Sequence, residues 1–239
     1  MTSFSSPLSS APAVRLSQVT RTYGRGDRAF TAVNDISLDV QQGQSLAVVG
    51  KSGSGKSTLM HLMALLDTPT TGEVDVLGTP SARLRPREKN LIRNRPFGFV
   101  FQQFFLNGSQ SVFENVSLPL VIAGVPARQR RAKVMAALES MGLEGKARNA
   151  ASDLSGGQKQ RVVIARALVN DPAVIFADEP TGNLDSATGA HVEDLLFDLQ
   201  RRRGITLVIV THDPDLAGRC DERVTIADGR VAMEGARAA

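Results

Sequence analysis

One segment constrains the fold of this chain more than any other: Gly50-Lys-Ser-Gly-Ser-Gly-Lys-Ser57, set between the apolar run Ser45–Val49 and a stretch of helical character, Ser57–Leu66. It matches G-x-x-x-x-G-K-[ST] in the strand–loop–helix setting that the motif requires. Gly50, Gly53 and Gly55 permit backbone conformations that turn successive N–H groups inward, around a β-phosphate at which a helix N-terminus points. Lys51, Ser52 and Ser54 between them, and Thr58 on the helix, belong to the same cradle. Lys56 is placed to pair with β- and γ-phosphates, and Ser57 to ligate Mg²⁺. A glycine-rich turn without a ligand is the plainer alternative, and the strand before and helix after weigh against it.

A phosphate loop needs an acidic partner for its metal. Ala173-Val-Ile-Phe-Ala-Asp178-Glu179 supplies one at the end of a wholly apolar strand. Asp178 suits the Mg²⁺ shell. Glu179, which strand alternation points the other way, is placed to polarise an attacking water as general base. A simple turn before Pro180 is the competing reading. His212 follows the next apolar strand, Ile205–Val210, and parallel strands deliver their C-terminal ends to a common edge, so Gly50, Asp178 and His212 can converge there. His212 is then in position to bond a γ-phosphate or to hold Glu179 and the water in line.

The remaining segments frame these motifs. Val14–Val19 and Ile36–Val40 flank a Gly/Arg-rich turn, and Gly72–Leu77 and Phe97–Phe101 read as further strands. Ala127–Met141 spaces Val134, Ala137, Leu138 and Met141 as one helical stripe, so residues from about 104 to 170 read as a helical lobe. The final block returns to buried parallel strands joined by a crossover helix bearing Val192, Leu195, Leu196 and Leu199. It closes with a hairpin, Arg223–Ala227 and Arg230–Met233, about Asp228–Gly229.

With 239 residues, 42% apolar and 22% charged, the chain has globular composition, and its net charge of +4 is too mild to argue for nucleic acid. Its single cysteine, Cys220, forms no intrachain disulfide, in keeping with a reducing cytosol; it reads as structural. No apolar run reaches the roughly 18–20 residues of a membrane span, the longest lying around Leu118–Val125. Residues 1–13, rich in Ser, Pro and Ala, read as a disordered tail.

Leu154-Ser-Gly-Gly-Gln158, followed by Gln160-Arg161 and an apolar helix, is where the chain resembles the ATP-binding cassette family. Physically the segment is a second anion site: Ser155 and the Gly156–Gly157 amides lie at a helix start; a plain serine cap is the alternative. The resemblance extends over nearly the whole chain after residue 13. It implies an α/β fold: a RecA-like phosphate-loop ATPase core over residues 14–103 and 171–239, with an N-terminal antiparallel β subdomain and an inserted helical subdomain over about 104–170. It matches Tyr23 to the aromatic that stacks on adenine, Gln102 to a Mg²⁺ ligand that senses the transport domain, Asp185 to a loop contacting the opposite subunit, and His212 to the switch histidine. It further implies ATP and Mg²⁺ as ligands. The signature Ser155, Gly156, Gly157 and Gln158 of one copy would close over ATP held by a second, on separate membrane permease subunits at the cytoplasmic face of the membrane.

Phe97-Gly-Phe-Val-Phe-Gln102, Phe113-Glu-Asn-Val116 and Asp178–Ser186 look like the branch of macrolide-, lipoprotein-, antimicrobial-peptide- and haem-export ATPases. Leu106-Asn-Gly108 departs from that branch, near where its members meet the permease. The alternatives are a soluble ABC-type ATPase acting on DNA or ribosomes, with Arg201–Arg203 as a basic patch, and a phosphate-loop kinase in which Glu179 activates a substrate hydroxyl. Neither long coiled-coil insertions nor a second cassette is present in the chain to support the former, and the signature segment argues against the latter.

Overall fold

The structure, a computed structural model, describes residues 11–232. Its elements in chain order are β1 (Val14–Tyr23), β2 (Phe30–Val40), β3 (Ser45–Val49), α1 (Lys56–Met63), β4 (Thr71–Val76), β5 (Thr79–Pro80), α2 (Pro86–Asn94), β6 (Phe97–Phe101), α3 (Val112–Ile122), α4 (Ala127–Glu139), α5 (Gly156–Leu168), β7 (Val174–Asp178), α6 (Ser186–Arg203), β8 (Thr206–Val210), α7 (Pro214–Gly218), β9 (Glu222–Ala227) and β10 (Arg230–Ala232). Met233, the expected end of the hairpin, and residues 1–10 of the expected tail lie outside the described residues. Ala13 is fully buried, its N–H donates to Val40 O and its carbonyl accepts from Leu77 N, so this residue, expected in the tail, belongs to the fold.

One sheet has the order β10-β9-β3-β8-β7-β6, parallel except for the β9–β10 hairpin. Its central strands are buried on both faces, and alternate residues feed different cores. Ile175, Ala177, Leu207 and Ile209 join the core beneath α3–α6. Val174, Phe176, Val208 and Val210 pack towards α1 and the second sheet. That second sheet is antiparallel, ordered β2-β1-β4-β5. Its contact with the first is close: Asn34 N–H donates to Gly229 O at 2.7 Å. Asp228 and Gly229, both left-handed (φ 48° and 75°), make the two-residue turn that a right-twisted hairpin favours.

Strands β1 and β2 run well past the expected Val14–Val19 and Ile36–Val40. The added end of β1 is polar, that of β2 mixes Phe30, Ala32 and Val33 with Thr31, Asn34 and Asp35, and their pairing, with Thr22 Oγ1 3.0 Å from Thr31 Oγ1, carries bulges that break a regular alternation. Helix α2 buries no residue and so has no apolar stripe to find; it begins with Pro86, and Glu88 accepts from Arg85 N–H at 2.7 Å. By contrast α3, α5 and α6 begin where serine or aspartate caps them: Ser111 accepts from Glu114 N, Ser155 from Gln158 N and Asp185 from Thr188 N. Arg201–Arg203 end α6 before Gly204, where cations suit the helix dipole, and Arg201 and Arg202 pair with Asp198.

Between β6 and β7 the named elements are helices. Buried Asn115 on α3 ties the preceding loop down: it accepts from Asn107 N at 2.8 Å and donates to Asn107 O and Ser111 O. The far end of α5 packs on the parallel sheet, with Ala167 O only 2.7 Å from where a Cβ on Gly98 would stand.

Candidate functional site

The parallel strands deliver their C-terminal ends to one edge, and β3, β7 and β8 release the phosphate loop, the Asp178–Glu179 pair and the Thr211–His212 pair there. They enclose a cleft of about 470 Å³ lined by the loop residues Ser52, Gly53, Gly55, Lys56, Ser57 and Thr58, by Asp178, Glu179, Val210 and His212, and by Phe30 and Ala32 from β2. Gly50 and Gly55 hold φ of 152° and 105°, and a Cβ at either would come within 2.2 Å of a backbone oxygen, Ile226 O or Ala32 O. Glycine is therefore required there by close backbone approach as well as by conformation. Lys56 Nζ donates to Gly50 O and Lys51 O, both at 2.9 Å, which arches the ammonium over the loop. Ser54 lies beneath, buried, with its N–H bonded to Lys51 O.

Glu179 does not point away from Asp178, as alternation along a strand predicts. Strand β7 stops at Asp178, and Glu179 takes a left-handed backbone (φ 47°), bringing both carboxylates to the cleft. That conformation is unfavourable for a residue with a Cβ and has to be held by its surroundings. Glu179 N–H donates to Val210 O at 2.9 Å and Glu179 O accepts from Gly182 N at 3.1 Å. Its carboxylate meets His212 Nδ1 at 2.8 Å through Oε1 and accepts from Thr211 Oγ1 at 3.4 Å through Oε2. The Glu179 hydrogen bond and charge raise the His212 pKa above its ordinary value. Burial, followed by the neighbouring Glu179 charge, raises that of Asp178, opposed by His61, the Ser57 hydroxyl and Lys56. The hydroxyl of Ser57 and the carboxylate of Asp178 are hard oxygen donors, a set that fits Mg²⁺ held with few protein ligands beside phosphate.

The other expected residues lie outside this cleft. Tyr23 pairs with Phe30 across β1–β2; its hydroxyl donates to Asp67 at 2.7 Å and the Arg21 guanidinium lies 4.5 Å from its ring centroid. Gln102, just past β6, bonds Asn183: its Nε2 donates to Asn183 Oδ1 at 3.4 Å and its carbonyl accepts from Asn183 Nδ2 at 2.8 Å. Ser155, Gly157 and Gln158 line a second cleft, of about 510 Å³, together with Arg161, Thr188 and His191. Gly156 stands beside Leu184, and Asp185 caps α6 at the same place, its carboxyl kept below the ordinary range chiefly by the Thr188 N–H. The two clefts have no lining residue in common.

Phe30, Ala32 and Thr211 were not legible as site residues. Phe30 is 61% exposed at the start of β2, and nothing in its neighbours marks it. Thr211 had one signal, its place between the apolar strand and His212.

A sequence model described as ABC transporter matches residues 33–182. The chain belongs to the ABC transporter family. It is 42% identical over 225 residues to the lipoprotein-releasing system ATP-binding protein LolD of Bordetella pertussis, covering 94% of this chain and 97% of that protein. It is 46% identical over 224 residues to the macrolide export ATP-binding/permease protein MacB 1/2 of Paracoccus denitrificans, covering 94% of this chain and 33% of that longer protein. Among solved structures, the dimeric post-hydrolysis state of the ATP-binding cassette MJ0796 bound to ADP and Pi is similar at a TM-score of 0.83 and 40% identity, covering 91% and 96% of the two chains. CbiO1 of Clostridium perfringens, part of the complex cbiONQ, is similar at a TM-score of 0.84 and 31% identity, covering 93% and 88%.

Proposed function

We propose that this chain is the ATP-hydrolysing subunit of a membrane exporter, working as a homodimer docked on permease subunits at the cytoplasmic face of the membrane. The observation that carries the reading is the separation of its two anion-binding features. Phosphate loop and signature segment open into clefts with no shared residue, so ATP in the first is completed by the second only from another copy. The ADP- and Pi-bound dimer of a relative is the arrangement expected from such half-sites.

Within the first cleft the residues take separate roles. The loop amides and Lys56 bind phosphate, and Tyr23 offers its ring to the adenine with Phe30 beside it. Ser57 and Asp178 would hold Mg²⁺, which when bound supplies a charge that offsets the transferred phosphoryl oxygens. Gln102, now turned to Asn183, joins that set only by moving from its present bond. Glu179 takes the proton from the attacking water, and His212 fixes the carboxylate in line. On the second cleft, Ser155, the Gly156–Gly157 amides and Gln158 bind the γ-phosphate on the partner copy, with Asp185 at the junction. Loss of the γ-phosphate then removes the affinity that kept the dimer shut.

The division into a catalytic core of residues 14–103 and 171–239 and a helical lobe of about 104–170 belongs to the same reading. No helix among the described residues is long and apolar enough to cross a membrane. Exposed Leu118 and Ile122 line the groove between the lobe and the parallel sheet together with Phe101, whose ring meets that of exposed Phe105, and this is the face assigned to the permease. The cargo assigned in this reading is a hydrophobic or amphipathic substrate of the haem, peptide, macrolide or lipoprotein class, and relatives named for lipoprotein release and macrolide export support it.

Complementation tests the reading. Lys56→Ala and Ser155→Arg chains, each inactive alone, form one intact site per heterodimer when mixed. Random pairing of an isologous dimer then restores about one quarter of wild-type hydrolysis. Absence of recovery from mixtures that do form heterodimers would place both motifs in one chain's site and refute the arrangement.

A further inference from the structure

One buried hydrogen bond joins the signature helix to the carboxylate site. Gln160, on the second turn of α5 and 1% exposed, donates from Nε2 to the carbonyl of Pro180 at 2.6 Å. Pro180 is itself buried and directly follows Glu179. Its carbonyl belongs to the Pro180–Thr181 peptide, one residue beyond the left-handed Glu179 and inside the turn that Gly182 N–H closes on Glu179 O, so fixing that carbonyl restrains the turn. The other bonds on this turn, Glu179 N to Val210 O and Gly182 N to Glu179 O, come from the parallel sheet and the turn itself. Thr181 Oγ1 also reaches Glu193 on α6, at 3.4 Å, and Gln160 is the tie to the signature helix.

The remaining atom of that amide makes a stabilising role a poor explanation. Gln160 Oε1 is buried with no hydrogen-bond partner, a desolvation penalty that offsets what Nε2 gains. An apolar side chain of similar length would fill the site without that penalty, at the loss of the donor to Pro180.

We infer that Gln160 is a positioning residue for hydrolysis: by holding the Pro180 carbonyl it keeps Glu179 turned into the phosphate cleft, and it makes that orientation depend on the seating of the signature helix. The inference rests on the reading of Glu179 as general base. It has a consequence for the dimer. The start of α5 meets the partner's ATP while Glu179 acts on the chain's own, so one hydrogen bond carries the state of one site to the base of the other.

The experiment is a double-mutant cycle on the full chain, with Gln160→Met and Glu179→Gln singly and together, read by phosphate release, ATP binding and thermal unfolding. Gln160→Met is expected to lower kcat roughly 10- to 100-fold, the effect of displacing a reacting group by about an ångström. KM for ATP stays within about twofold, as fits a group acting in the chemical step, and the unfolding midpoint moves by no more than a few degrees. In the Glu179→Gln background, single-turnover hydrolysis should show no additional loss, because the base that Gln160 positions is already gone. A further loss of the same factor in the double variant, or unchanged kcat in Gln160→Met beside an inactive Glu179→Gln, overturns the inference alone. Undiminished turnover in Glu179→Gln instead refutes the base assignment. Gln160→Leu, which likewise donates nothing, repeats the measurement if Gln160→Met folds poorly; unfolding of both would assign Gln160 to stability and overturn the proposal.

Discussion

Gly157→Ala separates two reasons for the second glycine of the signature segment by the sign of its effect. If that glycine served only to loosen the chain, alanine at its helical position would stabilise the protein by about 0.5–1 kcal/mol. The packing says otherwise. A Cβ there would stand 2.3 Å from Thr188 Cγ2 on α6, more than ~1 Å short of the ~3.5 Å at which carbon atoms pack. Thr188 has little freedom to yield, because its N–H bonds Asp185 Oδ1 at 3.0 Å and its hydroxyl bonds the same carboxylate. The start of α5 must therefore move off α6. Overpacking of this size costs about 1–3 kcal/mol, or about 2–12 °C in unfolding midpoint for a chain of this length. Hydrolysis should fall with it while ATP binding to the phosphate loop stays, since that loop lines the other cleft. Thr188→Ser removes the offending methyl and keeps the capping hydroxyl, so it should return most of the loss in the double variant, with a coupling of at least ~1 kcal/mol. Scanning calorimetry and phosphate release measure both halves. A Gly157→Ala protein as stable as the parent, or one that Thr188→Ser fails to rescue, would refute the packing argument.

Glu179→Gln should keep ATP binding, lower turnover by about 10²–10⁴-fold as expected for loss of a general base, and accumulate as an ATP-bound dimer on gel filtration. The His212 ring, followed by NMR, should titrate above about 6.5 in the parent and move back towards that value in Glu179→Gln, because the Glu179 contact is the main cause of the rise. The sign follows: the imidazolium–carboxylate contact contributes below the unfolded histidine pKa and is lost as pH rises through the folded one. Burial pushes the Cys220 thiol up to about 11, so at pH 8 only ~10⁻³ of it is thiolate, and iodoacetamide should label the native chain far more slowly than the denatured one. Rapid native labelling at that pH would contradict its burial. Any stability this neutral thiol confers is present below the unfolded pKa and lost as pH rises through about 11.

The sequence alone determined those features whose physics is local. A glycine at Gly50 or Gly55 answers to backbone approach, and Ser155 answers to a helix N–H three positions on, so the phosphate loop and the start of the signature helix could be read directly, whereas the like caps at Ser111 and Asp185 were not. The apolar runs of β3, β7 and β8, continuous because both faces are buried, showed a parallel sheet and hence a shared edge. What escaped had no clear local signature: α2, which buries no residue fully, the polar end of β1, the mixed end of β2, and Phe30 in the cleft wall. Only the tertiary structure decided how the site is held. Glu179 is held left-handed by Val210 O on its N–H, by Gly182 N–H on its carbonyl and, one residue on, by Gln160 at the Pro180 carbonyl, and Val210 and Gln160 lie on another strand and helix. Spacing along a chain carries no information about such distant hydrogen bonds, so the residue types of the site were readable and the direction of its base was not.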